Sequence, residues 1–234
     1  VRGSLFPAVH KYSGRHREGQ EVILDLSRRH GLTVMPEALI CGESYIYERL
    51  EKDYLALEPW NTDAKAVQTA FHRNVQRILR ARLTDFARYV EAEQTYLTDM
   101  GTYFFVDPQN EEHHLVAAML DDVIREAGGG LLVKNGPWLF AQPEELNKGR
   151  ALQRLMQHRN IPPEEILAVG DHENDLSMLD GNTAGKTGCP ASAIPEVRAL
   201  VSENNGYVSA YDGPLGTLDV LRHYLGPSGP QKRQ

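Results

Sequence analysis

Cysteine is scarce in this sequence: Cys41 and Cys189 are the only two among 234 residues, and they form no CxxC pair. That excludes a disulfide framework or a structural zinc site and makes a reducing, cytoplasmic setting the expectation. Long apolar runs are missing too; none approaches the ~20 residues that span a bilayer, so no membrane partner is expected. The opening VRGSLFPAV lacks the apolar stretch of a secretory leader. Cations are not in excess, with 25 Lys and Arg against 32 Asp and Glu and a formal net charge of −7. Nucleic-acid binding needs clustered cations to meet phosphates and is therefore disfavoured. A small anion held by a local cation or metal is not. No internal repeat is present. Residues that are 41% hydrophobic and 24% charged leave an ordinary globular balance, enough for one core or a core with a smaller insert.

Short apolar runs at 38–41 (ALIC), 103–106 (YFFV), 131–133 (LLV) and 166–169 (ILAV) are bounded by Gly, Pro, Asp or Asn and read as buried strands. Helical spacing appears between them. Residues 18–30 carry Val22, Ile23 and Leu26, with Gly31 as a stop. Residues 63–90 place Val67, Phe71, Val75, Ile78, Leu79, Leu83 and Phe86 at steps of three and four, as one helix or two. Further helices are expected over 115–127 and 147–158. Strands alternating with helices indicate an α/β protein with a doubly wound, mainly parallel sheet. The texture changes between about 60 and 143, where a long charged helix precedes strand, helix and two strand candidates around the turn signal Asn135-Gly136. This reads as an inserted α+β domain, leaving 1–59 and 144–225 as the core. Residues 226–234 (GPSGPQKRQ) read as a frayed tail.

The chemistry concentrates in 147–180, NKGRALQRLMQHRNIPPEEILAVGDHENDLSMLD. Lys148 opens an amphipathic helix, and the strand ILAV runs into Gly170-Asp171. Open parallel sheets bind ligands at the carboxyl ends of their strands, so Asp171 sits where a ligand is expected. Asp175, four residues on, either returns to the same cleft or caps the next helix. Two carboxylates there supply hard oxygens of the kind Mg²⁺ takes, with water and phosphate completing the octahedron. Lys148 alone would read as a surface lysine; its place in a strand–turn–helix unit is what gives it meaning.

The segment resembles the third and fourth motifs of the haloacid dehalogenase-like phosphatases, particularly the large-cap subgroup that includes Cof-type and sucrose-phosphate-phosphatase-like enzymes. The matching positions are Lys148-Gly149, Leu152 and Leu155, then Gly170-Asp171, Asn174-Asp175 and Leu179. The resemblance implies a Rossmann-like core with an inserted cap and Mg²⁺-dependent hydrolysis of a small phosphorylated metabolite, such as a sugar phosphate, through an aspartyl-phosphate. It also implies that Asp171 binds the metal directly, Asp175 supports it through water or through a bond to one of its ligands, and Lys148 offsets phosphoryl charge. Asn174 would contact substrate. Upstream, Tyr12-Ser13-Gly14-Arg15 is similar to the family's second motif, with Ser13 and Gly14 at the phosphoryl group. From the residues alone, Ser13 reads equally as a loop serine.

One element is lacking: an apolar strand ending in Asp-x-Asp ahead of Ser13, the source of the family's nucleophile. Residues 1–12 contain no aspartate. The look-alike 22–27 (VILDLS) follows Ser13 and reads better as a helix, so Asp25 is rejected as nucleophile. Either the 234 residues start downstream of that strand, the preferred expectation, or the protein binds phosphorylated ligands as an inactive sensor or scaffold. A nucleotide-binding loop at 181–187 (GNTAGKT) is a weaker alternative, because only three residues separate Gly181 from Gly185 where four are needed. His113-His114 point about 100° apart on a helix and read as a solvated helix start. Arg73, Arg77, Arg80 and Arg82 read as a wet helix face.

Overall fold

A computed structural model describes residues 37–41, 44–50, 53–82, 95–98, 101–106, 109 and 112–226. Ser13, Gly14, the helix expected over 18–30, residues 83–90 and the tail beyond 226 lie outside this set. The described residues fall into two compact units, one within Val1–Leu132 and Trp138–Asn147, the other within Val133–Pro137 and Lys148–Gln234. No described helix is long and apolar enough to cross a membrane.

The first unit opens with an antiparallel sheet of β1 (Ala38–Cys41), β2 (Tyr45–Leu50) and β3 (Asp53–Ala56). Helix α1 (Trp60–Ala81) follows. Next come β4 (Thr95–Thr98), β5 (Gly101–Phe105), α2 (Glu112–Glu126), β6 (Leu131–Asn135) and β7 (Trp138–Gln142). The last four strands form one sheet in the order β4-β5-β7-β6. Phe104 pairs with Leu139 across β5 and β7. Both pack with Val75, Ile78 and Leu79 of α1 and Val116, Leu120, Val123 and Ile124 of α2 in one apolar core. Strand alternation and the helical step of three to four put these residues on facing surfaces.

The buried stripe of α1 departs from the apolar pattern expected of it. Val67 is exposed, and Gln68, His72 and Gln76 are buried in its stead. The reason is a polar network. His72 Nε2 lies 2.8 Å from Gln68 Oε1 and His72 Nδ1 lies 3.1 Å from Thr102 Oγ1. Gln76 donates to Thr102 Oγ1 at 3.4 Å. Buried polar groups that satisfy one another can occupy a core face without the desolvation penalty of lone ones. His113 is a second correction: it is buried, because it shares a helical stripe with Val116, Ala117 and Leu120, while His114 is exposed. Of the expected wet face, Arg73, Arg77 and Arg80 are exposed, while Arg82 is half-buried and pairs with Glu126.

Burial lowers the pKa of His72 to about 4 from its ordinary 6.5. Above pH 6.5 the imidazole is neutral in folded and unfolded chains alike, and the network is intact. As pH falls from 6.5 toward 4 only the unfolded chain takes up the proton, so stability is lost across that window. The loss amounts to about 3 kcal/mol in all. Both tryptophans, Trp60 and Trp138, belong to this unit, so urea unfolding followed by their fluorescence reads it directly. The difference in stability between pH 7 and pH 4 should shrink by about 3 kcal/mol in His72→Gln; an unchanged difference would refute the burial argument.

The second unit carries a parallel sheet in the order β10-β9-β8, formed by β8 (Leu167–Val169), β9 (Lys186–Cys189) and β10 (Tyr207–Val208). Helices α3 (Lys148–Arg159), α4 (Pro195–Glu203) and α5 (Gly213–Leu225) accompany it. Ala168, Leu179, Ala184, Cys189, Val197 and Val201 make its core. This alternation bears out the α/β reading with a parallel sheet. Among the described residues β8 is an edge strand.

Candidate active site

The backbone leaves β8 at Gly170 and turns at once into a 3₁₀ helix, Glu173–Met178, where regular helical spacing had been expected. The turn is closed by Asp175. Its Oδ2 accepts from the N–H groups of Asp171 at 2.9 Å and His172 at 3.3 Å, and its Oδ1 receives Lys148 Nζ at 2.7 Å. Asp175 is 5% exposed, so the charge-assisted bonds replace the water its carboxylate gives up. Asp175 thus binds the backbone of the turn and the Lys148 ammonium at once.

Two glycines make this arrangement possible through close approach. A Cβ on Gly149 would stand 2.1 Å from Ser177 O, so only glycine lets α3 start against the 3₁₀ turn; its N–H donates to Ser177 Oγ at 2.9 Å. That contact brings Lys148 within reach of Asp175, which explains why Lys and Gly occur side by side. At Gly170 a Cβ would stand 2.4 Å from Asp175 Cβ. Gly170→Ala is therefore expected to push Asp175 off the amides it holds and cost about 1–3 kcal/mol. Thermal unfolding checks this, and an unaltered melting temperature would contradict the packing.

Asp171 is held differently. Its backbone is pinned, with its N–H on Asp175 and its carbonyl receiving Ile194 N–H at 3.0 Å, but its side chain is 45% exposed. His172 Nδ1 lies 3.2 Å from Asp171 Oδ1. The imidazole beside it, and then Lys148, hold the Asp171 carboxyl below its usual range against the opposing effect of burial. Reciprocally, Asp171 raises His172. The result is an ionised carboxylate half open to solvent at the carboxyl end of a parallel strand.

The structure thus brings together Lys148, Asp171 and Asp175, with Asn174 buried beside Asp175 in the same turn. Ser13 and Gly14 lie outside the described residues. His172 and Ser177 were not legible as supports beforehand, since nothing in their spacing separates them from their neighbours in DHENDLS. The run 181–187 is no phosphate cradle. Asp180 Oδ1 already takes the N–H groups of Asn182 at 3.0 Å and Thr183 at 2.7 Å, and Lys186 opens strand β9 rather than a helix. A nucleotide loop needs free amides leading into a helix N-terminus.

Sequence comparison gives this geometry a family: the haloacid dehalogenase-like hydrolase model matches residues 45–206. The chain belongs to the haloacid dehalogenase-like hydrolases. Among curated members, it is 28% identical over 144 residues to a phosphoglycolate phosphatase of Methanothermobacter thermautotrophicus, covering 58% of this chain and 62% of that protein. It is 35% identical over 79 residues to the phosphatase YwpJ of Bacillus subtilis, covering 34% of this chain and 26% of that one. The chain therefore spans less than two thirds of these relatives. Among solved structures, the sucrose-phosphatase from Synechocystis sp. PCC6803, in complex with sucrose and phosphate, covers 92% of this chain and 89% of its own at TM-score 0.63 and 19% identity. The haloacid dehalogenase-like hydrolase protein yhjK from Bacillus subtilis covers 88% and 74% at TM-score 0.53 and 15% identity. The fold is that of the Cof-type and sucrose-phosphatase-like members, as the motifs implied.

Proposed function

We propose that this chain carries the phosphate-handling half of a Mg²⁺-dependent phosphomonoester hydrolase. The observation that carries the reading is the Lys148–Asp175–Asp171 arrangement. One carboxylate is fully engaged in holding the lysine and the turn, which leaves the other ionised and open beside them. The phosphatase names of the curated relatives support it. A core of 1–59 and 144–225 with an inserted cap of 60–143 is part of the proposal.

The donor set fits Mg²⁺. No group of three or more His, Cys, Asp or Glu gathers into a cage among the described residues, and Mg²⁺ is commonly held by one or two carboxylates plus water and phosphate. Asp171 would be the direct ligand. Asp175, with both oxygens committed, would act by fixing Asp171 and Lys148. The ion, when bound, would neutralise charge on the phosphoryl oxygens. Lys148 would offset the rest, its ammonium carrying three donors of which one goes to Asp175. The nucleophile of this reading is an aspartate on a strand pairing with the other edge of β8. A parallel neighbour there would end beside Asp171. Its oxygen would bond to phosphorus as the ester oxygen leaves, and water would then release phosphate.

The test is phosphate release from a panel of small phosphomonoesters, sugar phosphates and phosphoglycolate among them, with Mg²⁺ and with a chelator. Turnover that survives chelation would end the reading.

A further inference from the structure

The tip of the β6–β7 hairpin, Val133–Pro137, groups with the second unit, and Lys134 N–H donates to Glu173 Oε2 at 2.8 Å. Glu173 lies between Asp171 and Asp175 in the same turn, so the tip is tied to the phosphate-handling turn itself. The residue after Lys134 is Asn135. It is 4% exposed, and its Nδ2 has no hydrogen-bond partner among the described residues.

Strand alternation explains its direction. Leu132 packs against the helix–sheet core of β4–β7, so Val133 and Asn135 occupy the opposite side of β6, and both are buried there. A buried amide N–H₂ without an acceptor is costly, and such groups are rare without a functional reason. The Asn-Gly turn needs no buried amide, since an exposed asparagine would serve it equally.

We propose that Asn135 is a specificity-determining residue, donating from Nδ2 to a hydroxyl or carboxylate oxygen on the organic part of the phosphate ester. This rests on the reading of the site as a phosphate-ester site. It goes further by naming what that ester must carry: an oxygen acceptor set back from the phosphorus.

Calorimetric titration of the Mg²⁺-loaded protein tests it whether or not the ester is cleaved. The probes are inorganic phosphate, methyl phosphate, glycerol phosphate and phosphoglycolate. In Asn135→Ala the Kd for glycerol phosphate should rise about 5-fold and that for phosphoglycolate about 10-fold or more, as expected for loss of a neutral and a charge-assisted hydrogen bond. Inorganic phosphate and methyl phosphate should bind as before, which also shows that the variant is folded. Asn135→Asp, which keeps the shape but presents a carboxylate, should weaken phosphoglycolate more than glycerol phosphate. Equal Kd values for all four probes in parent and Asn135→Ala would overturn the inference while leaving the phosphate site standing, as would a uniform loss across the four. Failure of the parent to bind inorganic phosphate with Mg²⁺ would remove the site reading and this inference with it.

Discussion

Asparagine at position 171 is expected, on the proposed function, to cut Mg²⁺-dependent phosphate release by about 10³-fold or more, because a neutral amide would replace the ionised carboxylate assigned to the metal. The geometry makes this a clean test. The backbone N–H of Asp171 is held by Asp175 and its carbonyl by Ile194, so neither anchor depends on the side chain being changed. The fold should therefore survive, with a melting temperature close to that of the parent. Removing one carboxylate oxygen's charge also frees His172 from the anion that raises its pKa. Mg²⁺ affinity, followed by titration, should fall together with turnover. Retained turnover, or unchanged Mg²⁺ affinity, would rule out the role given to Asp171.

Asp175→Ala is expected to act mainly on stability, costing roughly 3–5 kcal/mol, the range for breaking a buried charge pair by removing one member. Its carboxylate makes three bonds at once, to the Lys148 ammonium and the Asp171 and His172 amides. With it gone, Lys148, whose side chain is 29% exposed, loses this ion pair and two amides lose their acceptor. Asp175→Asn retains an oxygen for the amides and should lose less. Denaturant unfolding followed by circular dichroism gives the ordering: parent, then Asn, then Ala. A loss below about 1 kcal/mol in the alanine variant would mean that the pair behaves as an exposed surface contact.

The two substitutions separate chemistry from scaffolding in a motif whose carboxylates look alike in sequence. Asp171 and Asp175 are four residues apart on one turn, yet one is half open and the other is enclosed. The difference follows from Gly170 and Gly149. Each removes a Cβ, one to admit the Asp175 side chain against the backbone and the other to admit the start of α3 against Ser177.

Local pattern alone carried much of this protein. The apolar strand at 167–169, the glycine turn after it, the lysine at a helix start and the helices over 112–126 and 148–159 all follow from periodicity and turn chemistry within a dozen or so residues. Those features sufficed for the α/β class and for the family. Packing decided the rest. Which oxygen of Asp175 meets Lys148 is set by a contact spanning 27 residues, and the burial of His72 by one with Thr102 spanning 30. Apolar periodicity passes over Gln68, His72 and Gln76 because it registers transfer free energy one side chain at a time, whereas their burial is permitted only by one another and by Thr102. The orphaned amide of Asn135 is of the same kind. A side chain's neighbours across the fold determine whether its polar atoms are paid for, and chain spacing has no term for neighbours that distant.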